Sequence, residues 1–451
     1  MNANVAARPH VAAGPAARSG NLGTGLRLGL LFGPTVFGVT AAGVALPQVV
    51  AALHVSPDAV SWVLTVHALA LGVATALFGR LADAWGVRVT LALGALLLLG
   101  GAAIALVAPS LGVLVAGRAV LASGSGAMAA SALTLAASVD GSRRGAVLTS
   151  FGAVVATFAG GATLAGGLVT ELLSWRLTLV LPALSLAGVA AALPHAPRRG
   201  GSRERVDAVG AGQLALAAGA ALVLIQSPAL DLRPSLLAAV AAVGALAAAG
   251  LTRRVRRLPG AFVPRSLVAG PAFGAAALTG AGVFCGLFAA MYAVPQLLAD
   301  RHGWSVLAIG AALLPGALAG ALLSRLAGRV SPPAAGRRLL GGVTVAFALL
   351  LGAAGLADGT PALVVAAVAL GFAAFALTQV VLTDAVSAQV PAAQRGAAVG
   401  LLNLAFMTGG AVGTAAAGAL AGPLGLTGAL ALVALLPLAA GALAARGGAR
   451  P

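Results

Sequence analysis

The chain is 451 residues long, 60% of its side chains are apolar and only 8% are charged. Soluble globular chains are ~45–50% apolar with glycine included and ~25% charged; counted that way, the 63 glycines lift this chain to about three-quarters apolar, more than a soluble fold can hide. All 27 basic residues are arginine, most lie in short gaps between apolar stretches, and the lone Cys285 excludes a disulfide framework or a cysteine-based metal site.

What remains is an all-α membrane protein. A helix needs about 20 apolar residues to cross ~30 Å of hydrocarbon. Cutting the chain at its charged and proline-rich gaps predicts fourteen transmembrane helices: 28–52, 60–79, 89–108, 111–138, 145–170, 174–194, 208–227, 234–252, 268–292, 304–324, 338–356, 361–383, 396–421 and 424–445. These continuous runs are too long for the alternating strands of a membrane barrel. Residues 1–27 are rich in Ala, Gly and Pro; a cleaved signal peptide would begin its apolar segment earlier, so a disordered tail and an uncleaved first span are expected.

Arginine placement gives the orientation. With the N-terminus inside, the inner loops and tails collect 23 arginines, among them Arg143, Arg144, Arg253, Arg254, Arg256, Arg257 and Arg265. The outer loops hold Arg176, Arg233 and Arg301, and Arg118 falls within a span. The positive-inside rule then puts both termini in the cytoplasm. Membrane topology explains the +17 charge, and nucleic acid is not needed.

An internal repeat organises the spans. Arg80-Leu81-Ala82 after span 2 matches Arg325-Leu326-Ala327 after span 10, 245 residues on. Arg144-Gly145-Ala146 opening span 5 matches Arg395-Gly396-Ala397 opening span 13, 251 residues on. Two matches at nearly one offset indicate two six-helix halves in parallel register. The expected organisation is a cytoplasmic tail 1–27, an N-terminal bundle 28–194, linkers with inserted helices 7 and 8 over 195–267, a C-terminal bundle 268–445 and a tail 446–451.

These residues carry a family resemblance over essentially the whole chain. Gly79-Arg80-Leu81-Ala82-Asp83-Ala84-Trp85-Gly86-Val87-Arg88 resembles the G-x-L-a-D-r-x-G-r-r loop of the major facilitator superfamily. Val44-Ala45-Leu46-Pro47, Ser61-Trp62-Val63-Leu64-Thr65, Ser174-Trp175-Arg176, Asp207-Ala208-Val209-Gly210, Gly303-Trp304-Ser305, Leu314-Pro315 and Gly409 to Ala415 resemble its fourteen-span drug:proton antiporter branch. The departures bear on coupling. Gly38 and Gly43 replace the acid and asparagine of the branch's L-D-x-T-x-x-N-V-A-L-P, although Thr40 is kept. Ala162-Thr163 stands where Gly-Pro precedes Gly166-Gly167, and Leu121-Ala122 interrupts the span 4 motif that keeps Arg118 and Gly124.

A buried, unpaired cation such as Arg118 costs several kcal/mol in a membrane. The resemblance implies that it faces a central cavity and couples proton to substrate; the bland alternative is an arginine bonded to backbone carbonyls or snorkelling outward. His67, mid-span, is the best remaining protonatable group once the span 1 acid is missing; the alternative is a neutral imidazole hydrogen-bonded between helices. Glu171 and Asp384 sit at span ends. Gly79, Arg80, Asp83, Gly86 and Arg88 form a cytoplasmic gate that, by resemblance, latches the halves together, or else a turn fixing span 2 against span 3. Among neutral polar residues, Trp62, Tyr292, Gln296, Gln379 and Asn403 are candidates for the cavity; Gln213 and Gln226 must also find partners.

The expected function is secondary export of a lipophilic drug or natural product by alternating access, with protons as the coupling ion and the bacterial cytoplasmic membrane as the site. No enzyme site, metal cluster, phosphate loop or cofactor motif is present in the sequence, and a monomer is expected. The rivals are an uncoupled facilitator or uptake carrier, favoured by Gly38 and Ala162-Thr163, and a non-transporting sensor or scaffold, disfavoured by the joint presence of Asp83, Arg88 and Arg118.

Overall fold

The computed structural model describes residues 15–139, 141–198, 206–227, 232–258, 260–268, 270–327, 333–390 and 395–447. All regular structure among them is helical. The first helices are α1 (Pro15–Phe32), α2 (Thr40–Leu53), α3 (Trp62–Trp85), α4 (Val87–Leu106), α5 (Leu111–Ala137) and α6 (Gly141–Leu172). Then come two short pieces, α7 (Trp175–Leu179) and α8 (Ser185–Ala192), and the pair α9 (Ala208–Ile225) and α10 (Pro234–Arg257). The last group is α11 (Pro271–His302), α12 (Val306–Ala327), α13 (Pro333–Leu356), α14 (Pro361–Ser387), α15 (Arg395–Val433) and α16 (Leu435–Gly447).

Eleven helical segments of the described residues are long and apolar enough to cross a membrane. Two expected spans are interrupted. The first begins as α1, inside the stretch expected to be tail, and tightens into a 3₁₀ segment over Gly33–Gly38 before α2. Pro34, which has no N–H to give, and two glycines weaken the α-helical ladder there. The sixth breaks at Val180, followed by a 3₁₀ turn containing Pro182. Within α15, Gly425 adopts φ 70°, which kinks the chain next to Pro423.

Helices α1 to α8 pack against one another, above all α3 and α4 on α5 and α1 on α6, while α11 to α16 form a second group built on α11–α15, α12–α14 and α13–α16. The groups meet where α3 touches α15, α6 touches α12 and α2 touches α11. The pair α9 and α10 pack on each other, and α9 reaches both α3 and α15. Glycine permits close crossings between the groups: a Cβ on Gly43 would lie 2.5 Å from the Met291 carbonyl oxygen, and one on Gly310 would lie 2.5 Å from that of Thr163.

Candidate functional site

The breaks in the first and sixth spans create the site. Where a helix ends, its last carbonyls lose their intrahelical donors. Leu179 closes α7, and Gly38 closes the 3₁₀ segment. Arg118, on α5 and fully buried, donates to both: Nη1 to the Leu179 carbonyl at 2.6 Å, and Nη2 to the Gly38 carbonyl. Its Nε approaches the Val63 carbonyl on α3 at 3.4 Å. One guanidinium therefore ties spans 1, 2, 4 and 6 of the N-terminal group. No carboxylate pairs with it among the described residues.

His67, on α3, lies beside this cation and is fully buried. Neither ring nitrogen has a hydrogen-bond partner among the described residues. Nε2 points at Gly38: a Cβ built there would fall 1.8 Å from it. The imidazole fills the volume that any side chain at position 38 would need.

A second cluster lies at the outer end, with inner and outer named from the arginine distribution. The Tyr292 hydroxyl, on α11, donates to the Pro57 carbonyl at 2.5 Å, and Gln296 donates to the Tyr292 carbonyl at 2.8 Å. Thr65 on α3 donates to Thr414 on α15 at 2.8 Å, which links the two groups through buried hydroxyls. Gln226, just past α9, donates from Nε2 to Ser61 at 2.9 Å and to Thr65 at 3.3 Å. Trp62 is half-buried with its indole N–H unpartnered. Ser61, Thr65 and Thr414 were visible in the sequence as motif pieces, but nothing there marked them as the seam.

Gln379 and Asn403 lie elsewhere, on α14 and α15. Each is half-buried. They share helix faces with Phe375 and Phe406, at spacings of four and three residues. Those rings pack on Phe284 at centroid distances of 4.6 and 5.2 Å. Phe284 and Phe406 are buried, at 0% and 1% exposed, and Phe375 is half-buried, so the rings form part of the core between α11, α14 and α15.

The loop at the inner end of α3 is arranged otherwise. Arg80 stacks over the Phe262 ring, 5.7 Å from its centroid. Arg88 donates from Nε to the Ala196 carbonyl at 3.0 Å and lies 3.5 Å from that of Pro194. Asp83 is exposed, with Arg80 as its electrostatic neighbour and no ion pair among the described residues. Gly86 takes φ 92° between α3 and α4, which requires glycine, whereas a Cβ at Gly79 would meet open space. Gly328, which follows Arg325-Leu326-Ala327 where Asp83 follows Arg80-Leu81-Ala82, lies outside the described residues. No group of residues suited to a metal is found among the described residues.

The profile of the Major Facilitator Superfamily matches residues 28–352. The chain is 31% identical over 398 residues to the puromycin resistance protein pur8 of Streptomyces alboniger, covering 83% of this chain and 77% of that protein. It is 26% identical over 321 residues to the uncharacterized transporter YebQ of Escherichia coli (strain K12), covering 70% and 69%. Among solved structures, a POT family transporter in complex with a thioalcohol conjugated peptide superposes with a TM-score of 0.68 at 16% identity, covering 93% of this chain and 94% of that one. Another, in complex with 5-aminolevulinic acid, gives 0.67 at 16% identity, covering 95% and 96%.

Proposed function

The chain belongs to the Major Facilitator Superfamily of transporters, and we propose that it exports lipophilic small molecules across the bacterial cytoplasmic membrane, with both termini inside. The likeness to a puromycin resistance protein over 83% of the chain carries this reading. The half-buried Phe375, Gln379 and Asn403 are the proposed substrate-facing residues of the C-terminal group. The POT family transporters share the fold alone at 16% identity, so their peptide and 5-aminolevulinic acid ligands do not decide this chain's substrate.

The mechanism proposed is alternating access by two bundles. The repeat places span 2 on span 10 and span 5 on span 13. Under that mapping the contact of α3 with α15 exchanges with the contact of α12 with α6, as two halves related by a two-fold axis require. Fourteen spans follow if the short apolar helices Leu181–His195 and Val306–Gly320 also cross and the kink at Gly425 divides the last segment. The pair α9 and α10 is then the insertion. The Gly79–Arg88 loop serves as an inner latch that engages when the carrier faces outward.

Protons are the proposed coupling ion, with His67 exchanging the proton beside Arg118. Neither imidazole nitrogen is engaged by another group among the described residues. Uncoupled transport is the second reading, favoured by Gly38 where the branch carries an acid. Internal pH in proteoliposomes, followed while puromycin and a panel of lipophilic cations are added, tests the pair. A substrate-triggered proton flux that His67→Gln abolishes is expected. Substrate movement without proton flux establishes the facilitator, and no movement of any substrate overturns the export reading.

A further inference from the structure

The inserted pair has a lipid-facing helix with a basic end. In α10 Ala247 is buried, whereas Leu246 is 73% exposed and Leu236 and Val243 are 48% exposed. The helix finishes in Arg253, Arg254, Arg256 and Arg257. Beside that end lies a cavity of about 530 Å³, within the ~300–1,000 Å³ range of ligand pockets. Leu251 and Val255 of α10 wall one side, Val263 and Val268 the other, and Arg256 and Arg265 supply its charge. No acidic residue lines it among the described residues. Arg254 is spoken for by Asp207 at 2.7 Å, whereas Arg256 and Arg265 are exposed and pair with no carboxylate among the described residues.

We infer that this cavity binds an anionic phospholipid of the inner leaflet, its acyl chain against the valines and leucine and its phosphate between Arg256 and Arg265. The apolar flank of α10 continues the chain's path into the bilayer, and the unpaired arginines complement the headgroup. A soluble anion would leave the apolar walls empty, and a zwitterionic lipid would add no net attraction. The site lies close to the inner end of α3. Asp207 holds both Arg254 and the backbone of Phe262, at 3.0 Å for the latter, and Phe262 lies under Arg80. An occupied cavity therefore braces the contact of the insertion with the latch loop. The leaflet assignment rests on the proposed orientation.

Native mass spectrometry of the full-length protein in mild detergent tests the site directly. Phosphatidylglycerol and phosphatidylcholine are titrated against the wild type, Arg256→Ala/Arg265→Ala, and a control with the same charge change, Arg253→Ala/Arg257→Ala. An arginine near an anionic surface gives roughly a five-fold preference, so the pair gives roughly twenty-five-fold. The expected result is phosphatidylglycerol retained by wild type and control and lost from the first variant by about that factor. Equal loss from the control, equal binding of phosphatidylcholine, or displacement by inorganic phosphate overturns the proposal. Micelles have no sides, so this result is independent of orientation, which labelling of introduced cysteines in intact cells tests separately.

Discussion

The His67 ring occupies the space that a side chain at Gly38 would fill, with Nε2 only 1.8 Å from where that Cβ would stand. A side chain at position 38 and the imidazole in its present orientation cannot both occupy that space. Gly38→Ala forces the ring out of place, and overpacking of this kind costs about 1–3 kcal/mol. Thermal unfolding in detergent should show the loss, and His67→Ala in the same chain should restore most of it. An unchanged midpoint for Gly38→Ala alone would refute the overlap.

Arg118 closes two broken helices, so its removal should act on folding before transport. Arg118→Ala orphans the carbonyls of Gly38 and Leu179 in a buried region, at about 1–3 kcal/mol each. Folded yield should fall, and the unfolding midpoint should drop by roughly 5 °C or more. Arg118→Lys keeps the charge but not the fork of donors and should recover part of the loss. A fully stable Arg118→Ala protein that has lost transport would instead give Arg118 a role in coupling alone.

Gln226 reaches the seam between the groups from outside both. It donates to Thr65, which donates to Thr414, which donates in turn to the Gly410 and Ala411 carbonyls at 3.2 and 3.1 Å. A chain of this kind strengthens each member. Gln226→Leu leaves the Thr65–Thr414 bond in place and removes only its support, so the outer ends joined there should open by at most roughly five-fold, the equivalent of one buried bond of about 1 kcal/mol. Spin labels at His54→Cys and Leu424→Cys, in a Cys285→Ala background, should report a longer distance for Gln226→Leu. An unaltered distance distribution removes Gln226 from gating.

Asp207 gives the insertion a pH response. Partial burial raises its pKa, but hydrogen bonds from Arg254 and from the backbone of Phe262 and Gly210, with the Arg254 charge, outweigh this and hold it below the usual carboxylate value. A depressed carboxylate stabilises the fold above its unfolded pKa, ~4, and that stabilisation is lost as pH falls through the folded value. Acid unfolding of Asp207→Asn should therefore lack this component, and the variant should be weaker than wild type at neutral pH. An unchanged acid limb would show that the ion pair contributes nothing.

The sequence by itself determined the membrane class and the presence of a cation within span 4, and it carries the arginine distribution and matched segments from which the orientation and the repeat are proposed. Hydropathy and charge are properties of short windows, and a bilayer reads them window by window. It also exposed Gly38 and His67 as departures from the family pattern, without showing that they share one volume. Only the tertiary structure decided partners. The acceptors of Arg118 lie 55, 61 and 80 residues away, and Thr65 and Thr414 are separated by 349. The helix breaks at Gly38 and Val180 leave little trace in an apolar run, because proline and glycine are common in membrane helices and most do not break them. Packing chose which breaks to keep, and a buried arginine with several donors stands where two of them leave carbonyls to satisfy.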